Sequence, residues 1–168
     1  MEWSLSEVAH EWIRAHLPAG STILELGSGA GSAALAEHFT IYSVEHDKEW
    51  VNKYPNVNYI YAPIVHHKPI EGFEKHSWYD KDVIAQTKNL IYSLIICDGP
   101  PACIGRAGFL KYISLFKNDV PILFDDVHRA LEMKLAKKVA ARLNSDLLVL
   151  GLNTSKHIAI CWPGRVWK

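Results

Sequence analysis

Ile23-Leu24-Glu25-Leu26-Gly27-Ser28-Gly29-Ala30-Gly31-Ser32 reads as a buried strand, a glycine-rich turn and the opening of a helix. The apolar run around Glu25 is the strand, and Ala33, Ala34, Leu35 and Ala36 continue as helix. A glycine turn between a parallel strand and a helix lets the backbone come close to a ligand. It also aims free N–H groups and the positive end of the helix dipole at that ligand. Gly27, Gly29 and Gly31 spell G-x-G-x-G. The dinucleotide fingerprint needs its third glycine one position later, where Ser32 stands. Glu25, two residues before the first glycine, can accept from a ligand's ammonium group, directly or through water.

The totals bound what such a turn can serve. A chain of 168 residues is long enough for one domain with a real core, taken as residues 1–168. About half the residues are apolar and the formal net charge is zero. Nothing in that balance points to a nucleic-acid or membrane surface, although a local basic patch remains compatible with it. No charged-then-apolar signal segment follows Met1, and no run approaches membrane-spanning length. Cys97, Cys103 and Cys161 are odd in number and form no C-x-x-C. They are expected to be reduced, mostly buried packing residues of a cytoplasmic protein.

Before the turn, Ser4-Leu5-Ser6-Glu7 has the form of a capping box. Leu5, Val8, Trp12 and His16 follow at helical spacing, and Pro18-Ala19-Gly20 stops the helix. After the turn, the helix from about Ser32 to Phe39 leads into the strand Ile41–Glu45. A βαβ unit places Glu45 at the carboxyl end of the neighbouring strand, where it can accept both ribose hydroxyls of an adenosine. His46–Val51 begins a short helix and Asn56–Tyr61 is a third strand. Residues 64–77 are the least regular stretch, read as a loop on the substrate side.

Trp78-Tyr79-Asp80 opens a helix running to about Lys88. Leu90–Cys97 is a continuous apolar run, as a central parallel strand should be, and it ends in Asp98-Gly99-Pro100-Pro101. A helix from about Arg106 to Phe116 and a strand Val120–Phe124 follow, the strand ending in Asp125-Asp126. Leu131, Leu135, Val139 and Leu143 recur every fourth residue, so that helix packs one apolar face. Lys134, Lys137, Lys138 and Arg142 fall mostly off the stripe, on a solvated face. Two last strands, 147–152 and 156–162, form an antiparallel hairpin.

Three strand tips thus carry acids toward one edge: Glu45, Asp98 and the pair Asp125-Asp126. At about 5 Å and an effective dielectric near 20, two carboxylates repel by roughly 3 kcal/mol. The cluster needs a proton, a basic partner or a cation, and Mg²⁺ is satisfied by a few carboxylates plus water.

The run Glu25-x-Gly27-x-Gly29-x-Gly31 resembles motif I of the class I S-adenosylmethionine-dependent methyltransferases. The resemblance implies a Rossmann-like α/β fold: a seven-stranded, mostly parallel sheet with one antiparallel strand and helices on both faces. It implies S-adenosylmethionine as cofactor. Gly27, Ser28, Gly29, Gly31, Ser32 and Glu25 would hold its methionine end, Glu45 and His46 its ribose, and Ala62-Pro63 would border its adenine, with Asp98 nearby. An Asp after the fourth strand of the β–α units and an Asp pair after the fifth are similar to the metal site of catechol-type and macrocin-type O-methyltransferases. Carried over, Asp98, Asp125 and Asp126 would be ligands of Mg²⁺, which would lower the pKa of an attacking hydroxyl.

The local wording is closer still to a group of bacterial class I methyltransferases. They carry a Trp-Tyr pair, then Asp-Gly-Pro-Pro, an Arg, and Asp-Asp-x-x-Arg. Here those are Trp78-Tyr79, Asp98–Pro101, Arg106 and Asp125–Arg129. Trp78, Tyr79, Arg106 and Arg129 are therefore candidate substrate contacts. Two departures stand out. Where the catechol enzymes have a lysine base, this chain has Pro101, which leaves His128 or Asp98 as candidate catalytic base. And Arg106 and Arg129 can neutralise the acids without a metal, or clamp an anionic substrate. Asp98-Gly99-Pro100-Pro101 is also similar to the Asp-Pro-Pro-Tyr motif of amino methyltransferases, but Gly99 and Ala102 break that match.

The expectation is methyl transfer to an oxygen of a small molecule or glycan. Methylation of an amine or nucleic acid, and a non-catalytic binding module, are the alternatives; nucleic acid and membrane are not the expected partners. Many relatives enclose substrate with a cap or a large N-terminal segment. Its lack here points to a homo-oligomer completing the site or to a large acceptor.

Overall fold

In the computed structural model the strand residues alternate between two apolar cores. Leu24 and Leu26 face one and Ile23 the other; Ile95 and Cys97 share the first, Leu94 and Ile96 the second. A sheet buried on both faces requires this of its central strands. The structure describes residues 4–165 and residue 167.

The elements in order are α1 (Glu7–His16), β1 (Thr22–Leu26), α2 (Ala30–Leu35), β2 (Thr40–Glu45), β3 (Asn58–Tyr61), β4 (Ile64–His66) and β5 (Ser77–Tyr79). Then come α3 (Lys81–Gln86), β6 (Leu94–Cys97), α4 (Gly108–Lys111), β7 (Ile122–Phe124), α5 (Ala130–Arg142), β8 (Leu147–Leu150) and β9 (Ile158–Cys161). Seven strands form one sheet in the order β3-β2-β1-β6-β7-β9-β8. Only β9 runs against its neighbours. Residues of α1 and α2 fill one core, and residues of α3, α4 and α5 the other. The fold is the expected Rossmann-like α/β architecture, with helices on both faces and one reversed strand.

The chain leaves β1 toward β2 and β3, then crosses back to place β6 on the other side of β1. That reversal opens a crevice at the carboxyl ends of β1 and β6, where ligands of open α/β sheets bind.

Several local expectations need correction. The N-cap of α1 is Ser6, whose side chain accepts from the Ala9 N–H at 3.3 Å, and the helix buries Ala9, Trp12 and Ile13 while His16 is exposed. Residues 46–51 form turns, not a helix. The stretch 64–77 begins and ends in a β4–β5 antiparallel ribbon. Trp78 and Tyr79 lie in β5, and α3 starts only after Asp80, whose carboxylate accepts from the Asp82 N–H at 2.9 Å. The strand before Asp98 is shorter than its apolar run, because Ile91 points outward and is 87% exposed. The helix expected over 106–116 is one turn of α-helix and a 3₁₀ turn, Ile113–Leu115. Cys97 and Cys161 are buried and Cys103 is exposed; all three are free.

Candidate cofactor cleft and acidic cluster

Register sets the floor of the crevice. Leu26 pairs with Cys97 across β1 and β6, so Gly27 and Gly99 emerge side by side. Gly27 has φ +91°, which only glycine adopts without strain, and a Cβ on it would lie 2.9 Å from Gly99 Cα. The two turns therefore pack backbone on backbone.

Above that floor lies a cleft of about 230 Å³. Gly27, Ser28, Glu45, His46 and Asp98 line it, together with Tyr79 and Arg106. Glu45 is buried, and its two oxygens are held by main chain. Oε1 accepts from the N–H groups of His46 (2.7 Å) and Asp47 (2.8 Å), and Oε2 accepts from Ser28 N–H at 3.0 Å. Its carboxylate is thereby fixed at the tip of β2, between the glycine turn and the chain leaving the strand.

Glu25 is buried beneath the turn and does not line the cleft. Ser32 Oγ donates to Glu25 Oε2 at 2.6 Å and accepts from Gly29 N–H at 3.0 Å. Burial pushes the Glu25 carboxyl up to about 7, against a partial opposing effect of the Ser32 hydrogen bond. Gly31 faces Leu5, whose backbone N would be 3.0 Å from an added Cβ, so this glycine lets the segment before α1 approach α2. Gly29, Gly31, Ser32, Ala62 and Pro63 also lie off the cleft lining. Sequence reasoning missed Asp47, Trp50 and Pro101 on its wall. Pro101 carried a signal as part of Asp98-Gly99-Pro100-Pro101, and Trp50 another, an aromatic five residues beyond Glu45 in a stretch read as helix.

The acids of β6 and β7 converge as expected. One oxygen each from Asp98, Asp125 and Asp126 can be chosen so that all lie within 4.8 Å of one another. Arg106, 6% exposed, is their buried counter-ion. It donates to Asp98 Oδ1 (3.2 Å), Asp126 Oδ2 (3.3 Å) and the main-chain oxygens of Asp125 and Pro100. Arg129 adds an ion pair to Asp126 at 3.0 Å from a side chain 41% exposed. The guanidiniums of Arg106 and Arg129, and through space the charge of Lys156, oppose the three carboxylates. Burial, and then Asp125, push the Asp98 carboxyl well up; burial, and then Asp126, push Asp125 up. Asp125 Oδ1 and Asp126 Oδ1 are buried without a partner. Those two orphaned oxygens fit a divalent cation with oxygen ligands, although Arg106 and Arg129 already cover other oxygens of the set.

Two candidate residues are placed otherwise than expected. Trp78 is a core side chain, fully buried against Tyr112, Phe109 and Phe116, and cannot touch a substrate. Gly108 provides the room for its ring. His128 is exposed with its ring against His157, and it lines neither the cleft nor its neighbouring pocket, so it is not positioned as a base. Tyr79 is equally buried, but its hydroxyl sits against Gly99 without a hydrogen-bond partner and reaches the cleft wall.

This sheet order, with a cleft over its reversal point, recurs in solved structures. A methyltransferase-like protein from Silicibacter pomeroyi is 19% identical, covers 99% of this chain and 93% of its own, and superposes with a TM-score of 0.58. A methyltransferase from Pyrococcus furiosus is 15% identical over 95% of this chain and 83% of its own, with a TM-score of 0.55. The DhpI–SAH complex is 16% identical over 94% and 83%, with a TM-score of 0.52. The fold is that of the Rossmann-like methyltransferases. Identities this low establish the methyltransferase fold alone. No protein-family model and no curated protein matches the sequence.

Proposed function

We propose that the protein is an S-adenosylmethionine-dependent methyltransferase acting on an oxygen of a small molecule or glycan. The observation that carries the reading is Glu45. Its carboxylate is held by three main-chain N–H groups at the edge of a cleft floored by Gly27 and Gly99. A fixed acid there suits the paired hydroxyls of a ribose, and a glycine floor suits a cofactor that must lie against the backbone. The DhpI structure of the same fold holds SAH.

Methyl transfer is an in-line displacement at a sulfonium, so the protein's task is to position two partners in a closed site. Gly27 and Ser28 would face the methionine end of the cofactor and Glu45 its ribose. Glu25 and Ser32 act one layer below, by fixing the turn. Asp98 lies where cleft and acidic cluster meet and is the residue available to receive the acceptor's proton. Asp98, Asp125 and Asp126 would hold a Mg²⁺ ion, which when bound would make an acceptor hydroxyl more acidic.

The test is calorimetric titration of SAH into wild type and Glu45→Ala, with Mg²⁺ and then with chelator. Binding lost in the variant supports the cofactor site. An acceptor screen with isotope-labelled methyl donor then follows, and label found only in an amine would overturn the oxygen assignment.

A second reading, methylation of nucleic acid, draws on a different surface. An open groove beside α4 and α5 is lined by Lys111, Lys138 and Arg142, none of them ion-paired among the described residues. Salt-sensitive RNA binding would favour it. Among the described residues no helix is long and apolar enough to cross a membrane.

A further inference from the structure

The first turn of α5 is inside out. Leu131, which the helical stripe directs to the core, is 48% exposed. Its neighbour Glu132, an acid, is only 8% exposed. Among the described residues the Glu132 side chain makes no hydrogen bond and no ion pair; it acts on Arg106 only through space, and four of that guanidinium's five N–H donors go to Asp98, Asp126 and two main-chain oxygens. The carboxylate oxygens of Glu132 still reach solvent, so whatever seals them must supply a donor, and a leucine left in water forgoes its burial. Both departures occur at one place.

That place is a pocket of about 270 Å³. Phe73, Ala107, Leu131 and Leu135 give it apolar walls, and its charged lining includes Glu132 and Arg106, with Glu74, Lys75 and Arg129. Arg106 also lines the cofactor cleft, so the two cavities meet at its side chain. Phe73 is fixed there by Lys134, whose Nζ lies 5.4 Å from the ring centroid and donates to Gly72 O.

We infer that this pocket binds a small, mostly apolar, ring-sized molecule through a hydrogen-bond donor that meets the Glu132 carboxylate. The inference rests on the methyltransferase reading only for calling that molecule the methyl acceptor; the pocket and its chemistry stand apart from it. An apolar body covers Leu131 and Phe73, and a hydroxyl or ammonium satisfies Glu132. A ligand that seals this acceptor from water must replace its hydrogen bonds, so an analogue lacking the donor is rejected far more strongly than one lacking a methylene. A polymeric glycan, polar along its length, would leave these apolar walls uncovered.

The probes are β-naphthol and its methyl ether, of the same ring shape but without the donor, each titrated into the full chain by calorimetry. Naphthol is expected to bind at least about tenfold more tightly than the ether. Glu132→Leu should bring the two probes to equal affinity. Ala102→Phe, at an exposed position lining the pocket, should weaken both by about tenfold or more while melting within a few degrees of wild type. Equal binding of the probes to wild type, binding of neither, or naphthol binding untouched by Ala102→Phe would overturn the inference. SAH titrated into the same wild-type sample reads the other question: naphthol binding without SAH binding would keep the pocket and remove the methyltransferase assignment.

Discussion

Ser32 Oγ donates a 2.6 Å hydrogen bond to Glu25 while accepting from Gly29 N–H, so the acid of β1 holds the glycine turn from below. The burial that makes this possible also raises the Glu25 carboxyl to about 7, against 4.5 for the free group. The folded state therefore binds a proton more readily than the unfolded chain between those values. Its stability should be greatest below pH 4.5 as far as this group is concerned, fall as pH rises, and level off once pH passes about 7. Glu25→Gln keeps an acceptor for Ser32 and removes the titration. It should gain up to about 3 kcal/mol over wild type at pH 8 and nothing at pH 4. Urea unfolding at the two pH values measures it.

Gly27→Ala adds a Cβ 2.9 Å from Gly99 Cα at a residue with φ +91°. Steric and backbone strain together should cost about 3 kcal/mol. Because the clash moves the cleft floor, SAH affinity should fall even where the variant remains folded. Denaturant melts and calorimetry, run on the same preparation, separate the two effects.

Glu45→Ala leaves the N–H groups of Ser28, His46 and Asp47 without their acceptor. Water can reach this cleft edge, so the loss of stability should stay near about 2 kcal/mol. Loss of SAH binding should be far larger than that cost would explain. Glu45→Gln, which retains an acceptor oxygen, should recover stability more than binding.

Arg106→Met removes the buried counter-ion of Asp98 and Asp126. About 3–5 kcal/mol should be lost at pH 8. The loss should shrink as pH falls from there, because burial and neighbouring carboxylates hold Asp98 well above, and Asp125 above, the usual carboxylate range. Adding Asp98→Asn should restore part of the stability at pH 8, as unfolding midpoints of the double variant would record.

What was legible in the sequence was whatever depends on local order. The β1–turn–α2 unit, Glu45 at its distance from Gly27, and the strand-tip acids follow from residue type and spacing, and the sheet places them together. Trp78-Tyr79 resembles a helix start because the cap that opens α3, Asp80, follows directly; the aromatic pair before it belongs to β5. The phase of α5 was illegible for another reason. Periodicity gives a stripe, but packing decides which edge of the stripe is buried, and here Glu132 lies inside and Leu131 outside. The sequence allows Arg106 as counter-ion or anion clamp. Its four hydrogen bonds to Asp98, Asp126 and two carbonyls commit it to the first role, which only the tertiary arrangement could decide.

The strand order has a consequence for how the chain reaches this state. β1 and β6 are neighbours in the sheet, yet β2, β3, the β4–β5 ribbon and α3 intervene along the chain. Closing so long a loop is entropically slow and gains little until the pairing is made. Gly27 meets Gly99 only after that pairing, so no early hairpin or isolated βαβ unit contains the cleft. A molecule bound there stabilises the finished sheet alone, by about 2.7 kcal/mol at a hundred times its dissociation constant. During synthesis, the cofactor would act as a late fastener: it could not help the first half of the chain, and it would hold the second half in place once docked.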